Sequence, residues 1–322
     1  MLDSLPVSFN EITLLAIFSG VIIFFLIIDL GFLHKNPEKI AYKSALNQTI
    51  FWIAISLLFG LLIYLYDGGS EAALEYYSAY LTEKALSVDN IFVIIIILQY
   101  FRIKESHYHK ILFWGILGAI IFRAIFIFVG AFLVGHFHWI LYIFGFFLVF
   151  SGIKILFQKS DDHPDPAQNP LVKLSYRFLK ITKGDFGGKF WVKRNKAIYF
   201  TPLFLVMLLI ETTDIIFAVD SIPAAFAITQ NEFIIFTSNI FAVMGLRAMF
   251  FMLAGIITRF YLLQKALSLI LIFIGMKMLL EFFHVEIPVS LSFAVIIISL
   301  TGAIILSILI PAPKPASDKL VK

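Results

Sequence analysis

The sequence predicts an all-α polytopic membrane protein with about nine transmembrane helices. Of its 322 residues, 61% are hydrophobic and 14% are charged, and the mean hydropathy is +0.96. A soluble globular chain carries about 45–50% apolar and about 25% charged residues. Apolar runs of bilayer-spanning length recur along the chain, and the alternating segments of about 10 residues that indicate an outer-membrane barrel are absent. The chain contains no cysteine, which excludes disulfides and thiolate metal sites.

Nine apolar segments reach spanning length, which is about 17–25 residues. The short connections alternate between loops rich in lysine and arginine and loops that lack these residues, several of which are acidic. The positive-inside rule then predicts an outside N-terminus and an inside C-terminus, which requires an odd number of spans. Because the basic residues flank apolar runs, they indicate a lipid bilayer rather than nucleic acid as the partner. The predicted spans lie at 12–33, 45–66, 74–100, 110–134, 138–157, 199–228, 232–256, 261–283 and 288–310.

Segment 158–198 is hydrophilic, and we expect it to form a cytoplasmic loop. It begins with "SDDHPDPAQNP", in which the prolines favour an irregular linker. It continues with "LVKLSYRFLK", where Leu171, Leu174 and Phe178 share one helical face and basic residues occupy the other. That pattern predicts an amphipathic helix on the cytoplasmic membrane surface.

Two short motifs indicate an internal repeat. "DNIFVI" at Asp89 resembles "DIIFAV" at Asp214, and an arginine follows each aspartate at nearly the same distance. Arg123 lies 34 positions after Asp89, and Arg247 lies 33 positions after Asp214. Further on, "GIKIL" in the first copy matches "GMKML" in the second. Since acidic and basic residues are rare in lipid, their matched spacing favours a true repeat over a chance likeness of apolar segments.

The repeat divides the single membrane domain into units of three spans. The first unit covers 74–157 and the second covers 199–283, with helices 1 and 2 at 12–66 and helix 9 at 288–310. Three is an odd number, so the two units must face opposite ways across the membrane. Inverted repeats are typical of secondary transporters, whose sites lie near mid-membrane at the repeat interface.

Acidic residues within the predicted spans are the main functional signal. Each ionisable group costs at least about 2.5–3.5 kcal/mol at the centre of a membrane helix, so each needs an explanation. Arg123 and Arg247 lie deep, whereas Lys154 and Lys277 lie near helix ends, where they can snorkel. One interpretation is that every acid only forms an ion pair, but six acids then face two deep arginines, and the excess requires protons or a bound cation. The acids are Asp29, Glu83, Asp89, Glu211, Asp214 and Asp220.

The spacing of these acids predicts how they converge. Glu211 and Asp214 are three positions apart and share a helical face. Asp220 lies six positions after Asp214 and diverges from it on an unbroken helix. We expect Pro223, which lacks the N–H group that bonds the carbonyl of Val219, to break the helix and turn Asp220 towards Asp214.

The oxygen ligands favour a hard divalent cation, Mn²⁺, Ca²⁺ or Mg²⁺. A softer metal predicts cysteine or histidine at depth, and all seven histidines fall in loops or at helix ends. The motif "TSN" adds polar oxygens to the seventh span, although such residues often only bond between helices. We expect no covalent cofactor. The predicted metal ligands are Asp89, Asp214, Asp220, Glu211, Glu83, Asn90, Asn239 and Asp29.

Four motifs carry a resemblance to a known family. They are "EKALSVDNIFV" at Glu83, "WILYIFGFFLVFSGIKIL" at Trp139, "ETTDIIFAVDSIPAAFAIT" at Glu211 and "TSNIFAVMGLRAMFF" at Thr237. The chain resembles the TerC family of bacterial membrane proteins, and its Alx branch most closely. The resemblance implies a nine-helix protein of the cell inner membrane that exports Mn²⁺, related to the broader lysine-exporter superfamily. The acids that it assigns to the membrane interior are Glu83, Asp89, Glu211, Asp214 and Asp220.

The leading hypothesis is a secondary Mn²⁺ exporter with one site between helices 3 and 6, and not an enzyme. We expect protons as the coupling ion, because release of a cation leaves buried negative charge. One alternative is a membrane scaffold, or a redox-modulator or tellurium-resistance protein without transport, whose buried charges are structural. Another is an exporter of organic solutes such as amino acids. The sequence predicts no oligomeric state.

Overall fold

The apolar runs fold into helices with nearly the predicted boundaries. The computed structural model describes residues 9–32, 42–157, 179–182, 184, 186–194, 197–254, 262–285 and 287–310. The helices of these residues are α1 (Phe9–Phe32), α2 (Tyr42–Ile63), α3 (Gly69–Tyr100), α4 (Tyr108–His136), α5 (Ile140–Phe157), α6 (Pro202–Ile228), α7 (Glu232–Met244), α8 (Leu246–Leu253), α9 (Leu263–Glu281) and α10 (Val289–Leu309). A π-helical turn, Tyr64–Gly68, joins α2 to α3.

The chain is a predominantly helical integral membrane protein. Within the described ranges, seven helical segments are long and apolar enough to cross a membrane. Two of the nine predicted spans fall outside that set for different reasons. The side chains of α1 are described only over Ile12–Ile28, and α3 carries five charged side chains that make it less hydrophobic.

The expectation of purely helical structure is wrong between 191 and 200. Strands β1 (Trp191–Arg194) and β2 (Ala197–Phe200) form an antiparallel hairpin, in which Trp191 pairs with Phe200. Alternating bulky residues favour strands over a helix here. Helix α6 therefore begins at Pro202, later than the predicted 199. The predicted surface helix over 171–180 lies outside the described residues except for 179 and 180, which are not helical.

The seventh predicted span, 232–256, is divided at Gly245 into α7 and α8. Here the ammonium group of Lys84 donates a hydrogen bond to the carbonyl oxygen of Ala242 at 3.1 Å. A Cβ atom at position 245 would collide with that ammonium group, so glycine makes room for it. The lysine thus satisfies one of the carbonyl groups left free at the end of α7. Helix α7 is buried on almost every face and lies at the centre of the bundle.

Helices α5 and α9 form a close contact through small residues. A Cβ atom added to Gly275 would lie 2.6 Å from the carbonyl oxygen of Gly145, and one added to Gly145 would lie 3.1 Å from that of Gly275. One added to Gly152 would lie 2.8 Å from the carbonyl oxygen of Ser268. As the chain advances along α5, the contacts recede along α9, so the two helices run in opposite directions.

Substitution of Gly275 by alanine tests this packing. The new methyl group meets backbone atoms of α5, which cannot rotate away, so the helices must separate at a cost of about 1–3 kcal/mol. We expect a lower melting temperature in detergent than for the wild type. Gly302→Ala is the matched control, because a Cβ atom there has no neighbour within 4 Å. Equal melting temperatures for Gly275→Ala and Gly302→Ala would contradict the close contact.

Candidate cation site

Arg123 of α4 is the centre of a buried ionic cluster. Its side chain is 0% exposed. Its guanidinium group donates two hydrogen bonds to Asp214 of α6, from Nε to Oδ2 at 3.3 Å and from Nη2 to Oδ1 at 3.1 Å. Its Nη1 atom forms an ion pair with Glu83 of α3. The two-pronged contact with Asp214 is the geometry that holds a guanidinium group most firmly.

Asn239 of α7 closes the cluster. Its Oδ1 atom accepts a hydrogen bond from Nη1 of Arg123 at 3.0 Å, and its Nδ2 group donates to Oε2 of Glu83 at 3.0 Å. The side chains of Glu83, Asn239 and Asp214 are all at least nine-tenths buried. The cluster therefore joins α3, α4, α6 and α7 through charge-assisted bonds in the interior.

A small cavity lies beside Asp214. Its volume is about 30 Å³, which is room for a water-sized particle. Asn90, Thr213, Asp214 and Arg247 supply its polar lining, and apolar side chains of α3, α4, α6 and α8 supply the rest. Among the described residues, Oδ1 of Asn90 has no hydrogen-bond donor. The cavity thus presents carboxylate and amide oxygens at the interface of α3 and α6.

Glu211 lies one turn before Asp214 on the same helix and faces α4. Its carboxylate packs against Gly118, where a side chain would occupy the same space. Within the described part of the chain, no donor reaches its buried Oε2 atom. A buried carboxylate oxygen without a donor is costly, so this group needs a proton or a cation.

The expectation that Pro223 breaks the helix is wrong. Helix α6 continues through Pro223 to Ile228, because one missing hydrogen bond is tolerated within a packed membrane helix. Asp220 therefore does not turn towards Asp214. It faces α5, where the hydroxyl group of Ser151 donates to its Oδ1 atom at 2.9 Å.

The remaining predicted ligands are described only by their backbones. Asp29 lies in α1 and Asp89 lies in α3, directly before Asn90, and their side chains fall outside the described set. Among the residues that the structure does describe, no three acidic or histidine side chains converge on one point. The complete ligand shell stays a prediction, and three of its members, Glu83, Asp214 and Asn239, are bound to Arg123.

Lys84 is the buried charge that the sequence analysis missed. Its side chain is 9% exposed and points to Ala242 rather than to Glu83, since adjacent helical residues do not face each other. A lysine directly after a glutamate within an apolar run could have indicated this buried charge. Its presence reduces the excess of buried acids over bases.

Comparison with known proteins identifies the family. Residues 68–314 match the model of the integral membrane protein TerC family, which is more than half of the chain. The chain belongs to this family. The match begins just before α3 and extends past α10, so it contains every member of the Arg123 cluster.

Relatives of this TerC chain span nearly its whole length. An uncharacterized membrane protein of Rickettsia felis is 47% identical over 293 residues, covering 91% of this chain and 96% of the relative. The uncharacterized membrane protein STKORF319 of Myxococcus xanthus is 41% identical over 301 residues, covering 94% and 93%. A putative membrane-bound redox modulator Alx of Photorhabdus laumondii is 41% identical over 293 residues, covering 88% and 91%. These matches confirm the resemblance to the TerC family and its Alx branch. No solved structure matches the chain.

Removal of Arg123 tests whether the cluster holds the fold together. In Arg123→Met, two carboxylates lose their buried partner, and we expect destabilisation by about 3–5 kcal/mol. Adding Glu83→Gln and Asp214→Asn to that variant removes the stranded charges and should recover most of the melting temperature. Lys43→Met, which removes an exposed cation from α2, serves as the control. A triple variant that is no more stable than Arg123→Met would contradict this assignment.

Proposed function

We propose that this TerC-family protein is a secondary transporter that exports a hard divalent cation, Mn²⁺ first among them, across the bacterial inner membrane. The observation that carries the proposal is the Arg123 cluster. The positively charged guanidinium group lies there between two carboxylates and an amide oxygen, deep in the bundle and beside a cavity of about 30 Å³. These ligand types suit Mn²⁺, Mg²⁺ and Ca²⁺.

In this conformation the guanidinium group of Arg123 occupies the position that a substrate cation would take. Glu83 and Asp214 cannot coordinate a metal while both are bound to it. Loading therefore requires Arg123 to release at least one carboxylate towards the cavity, where Oδ1 of Asn90 supplies a further oxygen. Asp89, which neighbours Asn90 in sequence, is the next ligand of the proposed site.

The proposed topology has nine spans, an outside N-terminus, an inside C-terminus and two inverted repeats, 74–157 and 199–283. The contact of α5 with α9 supports the repeats. Residues 145 and 268 correspond in the two copies, as do 152 and 275, each pair 123 positions apart. Exchanging the copies converts the contact of Gly145 with Gly275 into that of Ser268 with Gly152, and both contacts occur.

The packing of the charged helices has the same symmetry. Helix α3 packs on α7, and its counterpart α6 packs on α4, the counterpart of α7. In the proposed repeat, Arg247 and Asp89 are the residues that correspond to Arg123 and Asp214. A transporter of this class alternates access by moving one repeat against the other around a site at their interface. Exchange between the two related pairs is the alternation that we propose.

Proton coupling follows from charge balance. When the cation leaves, the carboxylates that bound it remain in a medium that penalises unpaired charge. The single positive charge of Arg123 balances one of the two carboxylates, Glu83 and Asp214, in the empty site, and protons balance the remaining negative charge. Glu211 is the proposed proton carrier, because its Oε2 atom has no donor among the described residues.

A membrane scaffold or redox modulator without transport is the second candidate. The Photorhabdus laumondii relative carries the name of a putative redox modulator, and a closed cluster with Lys84 nearby is compatible with a structural role. An amino acid exporter fits less well, since the cavity of about 30 Å³ is too small for such a solute. A flux measurement separates these functions.

The proposal predicts that Asp214→Asn and Asp89→Asn each slow Mn²⁺ flux into proteoliposomes by at least about tenfold, as loss of support at a metal site usually does. An entrapped Mn²⁺-sensitive dye reports the flux under an imposed proton gradient. Glu71→Gln, which removes an exposed acid from the same helix as Asp89, should transport like the wild type. Equal flux for all variants, at equal incorporation, would refute transport through this site. An absence of wild-type flux would favour the scaffold.

A further inference from the structure

A second cavity, of about 240 Å³, lies where α3 ends and where α4 and α6 begin. Its charged lining is basic, and none of its described lining residues is acidic. Phe101 and Phe186 add an apolar wall. The basic side chains are Arg102, Lys104, His107 and Lys189.

The loop that closes this cavity is fixed on two sides. Lys110 donates a hydrogen bond to the carbonyl oxygen of Gly188 at 2.9 Å, and its ammonium group lies 4.8 Å from the centre of the Phe190 ring. The hydroxyl group of Thr201, which caps α6, donates to the carbonyl oxygen of Lys189 at 2.7 Å. The loop therefore holds Lys189 against α4 and α6 in a defined position.

Backbone geometry also favours a built site. Gly188 has a φ of +74°, a conformation that a side chain would strain, and the ring of His107 packs against it. Arg102 has a φ of +50°, in the left-handed region that glycine and asparagine normally fill. This conformation ends α3, because the N–H groups of Arg102 and Ile103 turn back to the carbonyl oxygens of Gln99 and Leu98. It places Arg102 in the lining of the cavity.

The N-terminus of α6 adds to the positive potential. Thr201 and Pro202 line the cavity, and α6 is a helix of 27 residues. The first N–H groups of a helix carry partial positive charge and attract anions. Pro202 has no N–H group and Thr201 caps that of Phe204, so α6 contributes the positive end of its dipole. Positive charge from the connection between α3 and α4, from the loop and from the α6 dipole therefore meets in one cavity.

The surroundings indicate the depth of this cavity in the membrane. The side chain of Tyr100 at the end of α3 is 47% exposed, and that of Trp191 in the hairpin is 58% exposed. Tyrosine and tryptophan are enriched at the level of the lipid headgroups. Ile198, on the same hairpin, is also exposed. In the orientation proposed above, this is the cytoplasmic end of the bundle.

We propose that this basic cavity binds the phosphate group of an anionic membrane lipid. The basic side chains contact the phosphate next to the positive end of α6, and the phenylalanine wall contacts the glycerol and the start of the acyl chains. Basic pockets between helices on the cytoplasmic side have the chemistry for such headgroups. The site is separate from the Arg123 cluster; it rests on the proposed orientation but not on transport.

The test measures binding of dihexanoyl phosphatidylglycerol to the purified protein in detergent, from the increase in melting temperature during a titration. We expect the apparent affinity to fall about fivefold for each basic side chain removed. The main variant is Arg102→Gln/Lys104→Gln/Lys189→Gln. Because these three side chains are exposed, this triple variant should fold. If it does not, the single variants Arg102→Gln and Lys189→Gln test the same point.

The control variant, Lys43→Gln/Lys193→Gln/Lys265→Gln, removes the same charge from exposed positions outside the cavity. It should bind the lipid within about twofold of the wild type, and dihexanoyl phosphatidylcholine should stabilise none of the proteins. Equal weakening in both triple variants would refute a defined site. Stabilisation by inorganic phosphate alone, at the same concentration and to the same extent, would assign the cavity to free phosphate and overturn the lipid proposal.

Discussion

The rest of the structure depends on the burial of one guanidinium group. Arg123 has no access to solvent, and an unpaired charge at such a position would be prohibitive. Glu83 and Asp214 must therefore approach it from α3 and α6, and Asn239 must approach from α7. The positions of these helices in turn determine other features, including the contact of Lys84 with α7 near Gly245 and the cavity beside Asp214. The arrangement of the four helices follows from this one requirement.

The same requirement connects fold and function. On the proposed function, the transported cation and the guanidinium group of Arg123 would compete for the same carboxylate oxygens. The contact of α5 with α9 is different, because Gly145, Gly152 and Gly275 let the backbones of the two helices approach closely. Charge-assisted contacts thus join the central helices, and close contacts through small residues join α5 to α9.

Much of the fold could be predicted from the sequence, but the pairing within the site could not. Apolar length alone predicts the helices, and the landmarks Asp89 and Asp214 predict the repeat. The hairpin at 191–200 was missed because short strands resemble the start of an apolar helix. The division at Gly245 depends on Lys84, which is distant in sequence. The partner of Asp220 is Ser151 on α5, and no local spacing reveals it.

Binding of Mn²⁺ to purified Arg123→Gln tests the central claim most directly. If the guanidinium group occupies the cation position, its removal leaves the carboxylates of Glu83 and Asp214 without a positively charged partner. Titration monitored by the electron paramagnetic resonance signal of free Mn²⁺ should then show binding at least about tenfold tighter than in the wild type, the change that 1.4 kcal/mol produces. Equal or weaker binding in a folded Arg123→Gln protein would contradict the account.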